Sequence, residues 1–450
     1  MDRTWIEYRN RIIFDSDASS FAENCRLARE ELIQARDAKM AAELAIDLAS
    51  YLTRWISGNE EGALDAQAAE QCGAFAALLA EWGEEALAAY VQAEIAQIKA
   101  SNLVKLSREA DAGRLNVLWG NDNGLGIMQA MRRGAVMVTT NPPIVNMARL
   151  DRPDYFDAVR DRINQAFPQE KVERRISRLT MEVVLNSCRA LRRIFEQSGE
   201  QLGYVNYQVD PNLFENSEAM AQEIFFAYEE MEKALGGKPN VLFKVPGIKA
   251  SLETARMVTA RGIGVTITVN FSVAQSDAFA KVIQQGSAKR SYVVIMAGRL
   301  DGPVAEDLKT ANVGDAENLA RNASRAVTHK VYHDVLLKNG FDKTGILVAS
   351  LRGPWNFDAS FTANKASCIA ISSFPDKWAE YDAKPRPIQT LVDEALPADT
   401  INLLRQSDVF TKAYEREALS EVAFDTYLPV VQTLTAFVAV YDDLKAYMGA

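Results

Sequence analysis

The strongest constraint on the fold is the alternation of short apolar strand patterns with helical patterns from Asn116 onward. Eight apolar runs have the length and composition of buried strands, at 117–119, 135–138, 202–209, 241–245, 265–269, 292–296, 346–349 and 368–371. Helical patterns such as 217–235 separate nearly all of them. Eight strands with mostly helical crossovers over roughly 260 residues predict a closed (β/α)8 TIM barrel of the α/β class.

An open, doubly wound sheet is the competing interpretation of the same alternation. Such a sheet normally carries a glycine-rich nucleotide loop directly after its first strand. The only candidate for this loop, Gly124-Leu-Gly126, lacks the third glycine. The pattern therefore favours the barrel, although both folds remain compatible with the order of strands and helices.

Residues 1–105 have helical patterns throughout and contain no catalytic constellation. Ser19 and Ser20 can cap a helix that continues to Leu48, and the segment 59–62 ends it. A second, alanine-rich helical pattern covers 63–100. We interpret these helices as packing elements. The alternative is a dimerisation arm or a lid.

The patterns divide the chain into three parts: a helical N-terminal extension at 1–105, a barrel at 106–385 and C-terminal helices at 386–450. Inside the barrel, the helical pattern at 170–197 indicates an unusually long crossover between the second and third strands. After the eighth strand, 395–404 and 413–447 each have an apolar helical face. We expect these last helices to pack on the barrel.

Composition narrows the class of protein. With 48% hydrophobic and 24% charged residues the chain is typical of globular proteins, and no apolar run reaches the length of a membrane span. The net charge of −10 argues against nucleic acid as the main partner. The four cysteines form no Cys-x-x-Cys pair, so neither a disulfide framework nor a zinc site is expected. The N-terminal residues lack a signal-peptide core, and we expect a cytoplasmic protein.

One strand, Asn240-Val-Leu-Phe-Lys-Val-Pro-Gly247, carries the clearest chemical signal. A lysine near the end of a buried parallel strand loses solvation, which lowers its pKa toward the range where the free amine attacks a carbonyl. Lys244 is therefore a candidate Schiff-base nucleophile. The alternative is a lysine whose stem lies along apolar surface while its ammonium group reaches solvent.

Motifs on both sides of Lys244 add to this signal. The Lys-Val-Pro strand end is followed by a helix, by Gly262-Ile263, by a strand with threonine and by Phe271-Ser-Val-Ala-Gln275. Further motifs are Thr139-Thr-Asn-Pro-Pro143, Gln208-Val-Asp-Pro211, Gly298-Arg299 and Ala349-Ser-Leu-Arg352. In this order the motifs resemble those of the transaldolase family, together with the fructose-6-phosphate aldolases. The resemblance extends from about Leu115 to about Pro375 and implies a TIM barrel with imine chemistry.

In such a barrel, residues that are distant in sequence meet at the carboxyl ends of the strands. The resemblance implies that the catalytic residues are Lys244, Asp122, Asn121, Gln208 and Thr268. It implies that the residues binding the substrate are Asn141, Arg299, Ser350 and Arg352. Arginines suit a phosphate because the guanidinium group binds it bidentately and carries a fixed charge.

The chain departs from the family pattern at the residues that move protons. Gln208 stands where transaldolases have a glutamate, as in the aldolase branch, where the glutamine positions a water. Asn121 aligns best with the usual aspartate at the end of strand one, although Asp122 is its neighbour. Either Asp122 is aimed into the barrel, or a water held by Gln208 and Thr268 carries the proton.

The ketose-donor side departs from the pattern as well. Thr266 and Val294 stand where transaldolases have an asparagine and a serine, and Met296 falls where the aldolase branch has a tyrosine. The phosphate side keeps its motif residues. These departures leave imine chemistry in place and make the donor sugar an open question.

The resulting prediction is a transaldolase-like enzyme that acts on a phosphorylated sugar through a Lys244 Schiff base and transfers or releases a three-carbon ketol unit. The alternatives are a fructose-6-phosphate aldolase-type lyase and a sugar-phosphate-binding pseudoenzyme. No metal or organic cofactor is expected, because His329 and His333 have helical metal-pair spacing but no acidic third ligand. The expected partners are small sugar phosphates, without nucleic acid or membrane, and a homo-oligomer is possible.

Overall fold

The computed structural model describes residues 3–449, so Met1, Asp2 and Ala450 of the predicted terminal segments lie outside it. Its centre is a closed barrel of eight parallel strands that follow one another in chain order. They are β1 Val117–Asn121, β2 Met137–Val138, β3 Tyr204–Gln208, β4 Val241–Pro246, β5 Val265–Thr268, β6 Ser291–Met296, β7 Thr344–Ala349 and β8 Ile369–Ser373. The closed order confirms the predicted TIM barrel, and the open-sheet alternative is wrong.

The strands are near-continuous apolar runs because both of their faces are buried. Every residue of β4 is buried, and its Lys244 lies between Gln208 of β3 and Thr266 of β5 in the strand register. Successive side chains alternate between the barrel interior and the surrounding helices. Tyr207 is on the outer face, since its hydroxyl donates to the carbonyl of Ser177 in the helix Val172–Gln197, which precedes β3. Gln208, the next residue of β3, therefore faces the interior, and so does Lys244, its partner in the strand register.

Helices between the strands, and one after β8, cover the outside of the barrel. They are Ile127–Arg132, Pro142–Asp151, Pro153–Ala166, Val172–Gln197, Ser217–Leu235, Lys249–Ala260, Val273–Gln285, Ala297–Thr310, Ala316–Ala320, Ala323–Lys330, Pro354–Asp358 and Pro375–Asp382. The long crossover predicted at 170–197 is the helix Val172–Gln197. A π-helical turn, Val331–Leu337, and a 3₁₀ turn, Pro211–Leu213, complete the connections.

The N-terminal extension is helical, as predicted, but its helices are shorter. They are Arg3–Arg9, Phe21–Ala35, Ala38–Leu48, Asp65–Glu81, Glu85–Ala100 and Asn102–Asp111, with a π-helical turn at Asn10–Phe14 and a 3₁₀ turn at Tyr51–Trp55. The predicted continuous helix to Leu48 is wrong, because Arg36 adopts a left-handed backbone and Asp37 caps a new helix. Ser20 stands at the N-cap position, but its hydroxyl donates to Asp17 instead of capping the helix.

Buried ion pairs join this extension to the barrel. The guanidinium of Arg132, on the helix after β1, donates from Nε to Asp47 Oδ1 at 2.6 Å and from Nη2 to Glu43 Oε2 at 2.7 Å. Trp5 Nε1 also donates to Asp47, at 2.9 Å. Arg132 and Asp47 are both fully buried. The extension therefore packs directly against the barrel wall.

The C-terminal helices are Ala398–Leu404, Asp408–Tyr414 and Leu428–Gly449. A 3₁₀ turn at Leu391–Asp393 precedes them, and two more, at Arg416–Ala418 and Glu421–Thr426, lie between the second and the third. The prediction of one helix over 413–447 is wrong, because two 3₁₀ turns precede the last helix, which begins at Leu428. Pro429 lacks an amide hydrogen, which suits the first turn of a helix, and the last helix begins beside it. We call Leu428–Gly449 the C-terminal helix. Within 3–449, no helix combines the length and apolar character needed to cross a membrane.

Candidate active site

A cavity of about 140 Å³ opens at the carboxyl ends of the barrel strands. It is lined by Asp122, Thr139, Asn141, Pro143, Lys244, Thr268, Val294, Met296, Arg299, Leu347, Ala349, Ser350, Arg352, Phe374 and Phe437. It is smaller than the roughly 300–1,000 Å³ pockets that hold drug-sized ligands, so it suits a small substrate. Two cavities of about 620 and 610 Å³ lie beside Arg54 of the N-terminal extension, but neither is lined by a lysine.

Lys244 lies inside this cavity and is only 6% exposed. Its Nζ donates a hydrogen bond to the carbonyl of Thr140 at 3.1 Å. Burial lowers the pKa of Lys244 to about 8, with Asp122 acting to raise it and Arg299 to lower it further. The alternative of an ammonium group that reaches solvent is wrong. Near pH 8 a substantial fraction of this amine is uncharged and able to attack a carbonyl.

Asp122 lines the same cavity and is buried. Burial raises the pKa of its carboxyl group, and the opposing influences are the charge of Lys244 and a hydrogen bond from Thr139. The single hydroxyl hydrogen of Thr139 is used for Asp122, so Ser372, 2.6 Å away, donates to the oxygen of Thr139. This chain of two hydroxyl groups fixes the orientation of a carboxylate that can accept a proton.

Asn121 is not brought to the cavity. Its amide nitrogen donates to the carbonyls of Asn123 and Leu125, both at 2.7 Å, and its amide oxygen accepts from the indole nitrogen of Trp378 at 3.1 Å. It shares the outward face of β1 with Trp119, because side chains alternate along a strand. Of the two adjacent candidates, the structure therefore places Asp122 inside the barrel and Asn121 against the surrounding helices.

Three further candidates surround Lys244 at different depths. Gln208 is beside Lys244 in the strand register and buried, and neither atom of its amide group has a hydrogen-bond partner among the described residues. It does not belong to the cavity lining. Thr268 does line the cavity, with its hydroxyl 4.0 Å from the sulfur of Met296. Asn141 uses its side-chain oxygen to cap the helix Pro142–Asp151, which leaves its amide hydrogens for a ligand.

The cationic candidates meet at the mouth of the cavity. Arg299 and Arg352 both line it, and neither forms an ion pair within residues 3–449. The pKa of Arg299 is lowered by burial and by the charge of Arg352, so the two guanidinium groups are close enough to repel. Two arginines without an ion-pair partner in the described chain, at one opening, form a site that an anion would stabilise.

Backbone geometry holds this pair of arginines in place. Ser350 adopts a left-handed backbone with φ of 61°, and its carbonyl accepts from the amide of Gly298 at 3.0 Å. A Cβ atom at Gly298 would lie 2.4 Å from Cγ of Arg352 and 2.7 Å from the carbonyl oxygen of Ser350. The glycine therefore allows the loops after β6 and β7 to approach closely enough for both arginines to share one opening.

Two residues at the site were not among the candidates predicted from the sequence. The amide of Gln275 joins two strand ends, since its nitrogen donates to the carbonyls of Gly247 at 2.5 Å and Val269 at 3.3 Å. The C-terminal helix contributes Phe437 to the cavity, with its ring 5.6 Å from the Arg299 guanidinium carbon. The Phe-Ser-x-x-Gln motif signalled the importance of Gln275, but only the fold reveals its contacts.

The two histidines with metal-pair spacing share one backbone acceptor. The rings of His329 and His333 each hydrogen-bond the carbonyl of Val392, at 2.7 and 3.1 Å. Across the described residues, no group of three or more His, Cys, Asp and Glu side chains has the proximity of a metal site. The pair of histidines thus serves to hold the segment around Val392 against the barrel.

Comparison with known proteins points to one family. The sequence model of the transaldolase/fructose-6-phosphate aldolase family matches residues 126–418. A transaldolase of Thiobacillus denitrificans is 29% identical over 205 residues, which cover 43% of this chain and 54% of the relative. A transaldolase 2 of a Nostoc species is 30% identical over 141 residues, or 31% of this chain and 35% of the relative.

A third relative, a transaldolase of Mycobacterium ulcerans, is 29% identical over 208 residues, with 44% of this chain and 53% of the relative covered. The chain thus spans between a third and about half the length of these three relatives. The match to the family, in contrast, covers more than half of this chain and includes β2 to β8. The chain belongs to the transaldolase/fructose-6-phosphate aldolase family.

Proposed function

We propose that the protein is a transaldolase-like enzyme that acts on a phosphorylated sugar through a Schiff base on Lys244. One observation carries the proposal: a buried lysine with a pKa of about 8 shares its cavity with the carboxylate of Asp122. The arginines Arg299 and Arg352 at the same opening support a phosphorylated substrate. The names of the relatives support an aldehyde or ketone transfer.

The reaction begins when the Lys244 amine adds to the ketone carbon of the sugar and the carbonyl oxygen leaves as water. Asp122 then takes the proton from the hydroxyl group on the carbon that will be released. The electrons of the carbon–carbon bond move to the iminium, which leaves an enamine on Lys244 and frees an aldehyde. In transfer, the enamine attacks an acceptor aldehyde, and hydrolysis of the new imine restores the amine.

The other site residues bind and orient the substrate. Arg299, Arg352 and Ser350 hold the phosphate, and the amide hydrogens of Asn141 donate to a substrate oxygen. Gln208 and Thr268 orient the water that is lost and regained at the imine, because Gln208 has no other hydrogen-bond partner in the described chain. Asn121 holds the turn that carries Asp122, through its bonds to Asn123 and Leu125.

The second candidate is an aldolase-type lyase, in which the enamine takes a proton and the three-carbon unit is released. Gln208 favours it, because this glutamine lies where the aldolase branch of the family has one and a transaldolase has a carboxylate. The two candidates share Lys244, Asp122 and the phosphate residues. They differ only in whether an acceptor aldehyde or a proton reaches the enamine.

The experiment is borohydride trapping with a panel of ketose phosphates, combined with measurement of aldehyde release with and without an acceptor aldose phosphate. We expect a reduced adduct on Lys244 alone, and a Lys244→Arg variant that stays folded but forms no adduct and has no turnover. Turnover that requires the acceptor indicates the transferase, and turnover without it indicates the lyase. An adduct on Lys238, Lys249 or Lys365 contradicts the proposal, and ligand binding without any adduct indicates a pseudoenzyme.

We also infer a cytoplasmic location, because all four cysteines are free and buried, as is usual in a reducing compartment. Absence of a nucleic-acid partner and formation of a homo-oligomer stay predictions. The net charge of −10 supports the first of these.

A further inference from the structure

Asp301 carries a carboxyl group behind the two arginines at the cavity mouth, and the proposed reaction does not use it. It lies on the helix Ala297–Thr310, three residues after Gly298, so both residues share one face of that helix. Arg352 packs on the same face, because a Cβ atom at Gly298 would lie 2.4 Å from its Cγ. Burial raises the pKa of Asp301 to about 7, and its hydrogen bonds and the charge of Arg352 act to lower it. Asp301 is therefore close enough to sense the phosphate arginine.

The carboxyl group of Asp301 is held by donors from two other helices. Its Oδ1 accepts from the amide of Ser324 at 2.9 Å, and its Oδ2 accepts from the hydroxyl of Ser324 at 3.1 Å. The side-chain amide of Asn356 also donates to it. Ser324 belongs to the helix Ala323–Lys330 and Asn356 to Pro354–Asp358. These two partners are only 4% and 2% exposed, so water competes little for their hydrogen bonds.

Asn356 extends this network to the loop after β7. Its amide oxygen accepts from the backbone amide of Arg352 at 2.9 Å, so one side chain bridges Asp301 and Arg352. The guanidinium group of Arg352 makes only long hydrogen bonds within the described chain, to the carbonyls of Ser350 and Leu351 at 3.4 and 3.5 Å. The direction of this side chain therefore depends on how its backbone is fixed.

We propose that Asp301 is a positioning residue for the phosphate site: acting through Asn356, it fixes the backbone of Arg352 so that the guanidinium group faces a phosphate at the cavity mouth. The inference rests on the proposed function and adds a residue that determines the preference for a phosphorylated substrate. Asp301 does not itself line the cavity. An ionised carboxyl group suits this role, because both of its oxygens accept hydrogen bonds and it can serve three donors at once.

Asp301→Asn tests the proposal, because the amide keeps the shape of the side chain but replaces one acceptor oxygen by a donor. Asn356 then loses its acceptor and no longer holds Arg352 in place. Borohydride adducts on Lys244 are measured with fructose 6-phosphate and with fructose, at pH 8, where the carboxylate form of Asp301 predominates. We expect the half-maximal concentration to rise by about tenfold for fructose 6-phosphate and by less than about twofold for fructose. Comparing ratios between proteins cancels the intrinsic reactivity of the two ketoses.

A double-mutant cycle tests the route through Asn356. Asn356→Ala removes the bridge and should lower the preference for fructose 6-phosphate by about tenfold as well. Asp301→Asn in the Asn356→Ala background should cause no further loss, because the two side chains act as one unit. Losses that multiply in the double variant would overturn the inference that Asp301 acts through Asn356.

Asp307 offers a matched control on the same helix. Its carboxyl group also accepts from a hydroxyl and a backbone amide, those of Ser407 at 2.8 Å and Val409 at 3.1 Å. It lies further along Ala297–Thr310 and does not line the cavity. Asp307→Asn should loosen the helix as Asp301→Asn does but leave the ratio of half-maximal concentrations unchanged. An equal loss of phosphate preference in Asp307→Asn would show a general structural effect and overturn the positioning role.

The outcomes distinguish this inference from the proposed function. If Asp301→Asn keeps the wild-type preference, or prefers fructose 6-phosphate more strongly, the positioning role is overturned while the Lys244 imine and the arginines stand. If Asp301→Asn does not fold, Asn356→Ala decides, because an unchanged preference there removes the route from Asp301 to Arg352. Equal half-maximal concentrations in the wild type would overturn the phosphate site itself, and absence of any adduct on Lys244 would overturn the imine, each with the inference.

Discussion

At the scale of single residues, the reactivity of Lys244 is a balance of opposing influences. Burial and Arg299 lower its pKa, and Asp122 raises it, with a result of about 8. Replacing Asp122 by Asn removes the influence that raises the pKa. The amine should then be uncharged at lower pH, so the midpoint of borohydride adduct formation should move to lower pH. Cleavage should fall by about 10²-fold or more, because a carboxamide cannot accept the substrate proton.

Asn121→Ala is the matched control for this prediction. Loss of its hydrogen bonds to Asn123 and Leu125 should decrease the free energy of unfolding by about 1–3 kcal/mol. The pH midpoint of adduct formation should move less than in Asp122→Asn, because the carboxylate of Asp122 is retained. If the midpoint moves to lower pH in Asn121→Ala but not in Asp122→Asn, Asp122 is not the group that raises the pKa of Lys244.

The adjacent pair Asn121 and Asp122 also shows where sequence reasoning reaches its limit. Motif alignment favoured Asn121 for the catalytic position, whereas the hydrogen bonds direct its amide away from the cavity. The alternation of side chains along β1 could have distinguished Asn121 from Asp122, because Trp119 shares a face with Asn121 and, as a large apolar residue, suits the helix-facing side. In a buried parallel strand, however, both faces are apolar, so the sequence does not reveal which residues point inward.

At the scale of elements, the anion site depends on how closely the ends of β6 and β7 approach. Gly298→Ala would place a Cβ atom 2.4 Å from Cγ of Arg352. Arg352 must then move, and loss of one charged contact should weaken the use of phosphorylated substrates by about 1.5–3 kcal/mol in kcat/KM. Unphosphorylated ketones should lose much less. Steady-state kinetics with matched phosphorylated and unphosphorylated ketoses measures the difference.

The same helix provides the control. Gly302 is one turn further along Ala297–Thr310, and a Cβ atom there would meet nothing within 4 Å beyond its chain neighbours. Gly302→Ala should leave the preference for phosphate unchanged, and its effect on stability is confined to the contact of the new Cβ with the ring of Pro303. Equal kinetics in the two alanine variants would show that the close approach at Gly298 is not needed for the anion site.

Strands were easier to predict than helix ends, for a physical reason. A strand buried on both faces is apolar along its length, and all eight such runs were recognisable. The helix ends depended on local backbone choices that composition does not encode. Arg36 adopts a left-handed conformation that is rare outside glycine, so a helical pattern continued through it. Pro429, by contrast, is a helix start that the sequence did contain.

At the scale of the whole molecule, a buried cluster of charges joins parts that were predicted as separate segments. Asp47, in the N-terminal extension, accepts from Arg132 of the barrel, and Arg9 donates to the carbonyl of Ala190 at 2.7 Å. Burial raises the pKa of Asp47, while both arginines act to lower it. The ionised cluster is therefore stable only as long as extension and barrel remain in contact.

Asp47→Ala tests whether the extension and the barrel unfold together. The change leaves the fully buried Arg132 with only Glu43 as a counter-charge, and breaking a buried pair in this way costs about 3–5 kcal/mol. We expect one unfolding transition at lower denaturant concentration, with loss of Lys244 trapping in the same transition. Glu30→Ala, which breaks the exposed pair with Arg26, should change stability by no more than about 1 kcal/mol. Two separate transitions in Asp47→Ala, with trapping retained after the first, would instead show that the barrel is stable without its extension.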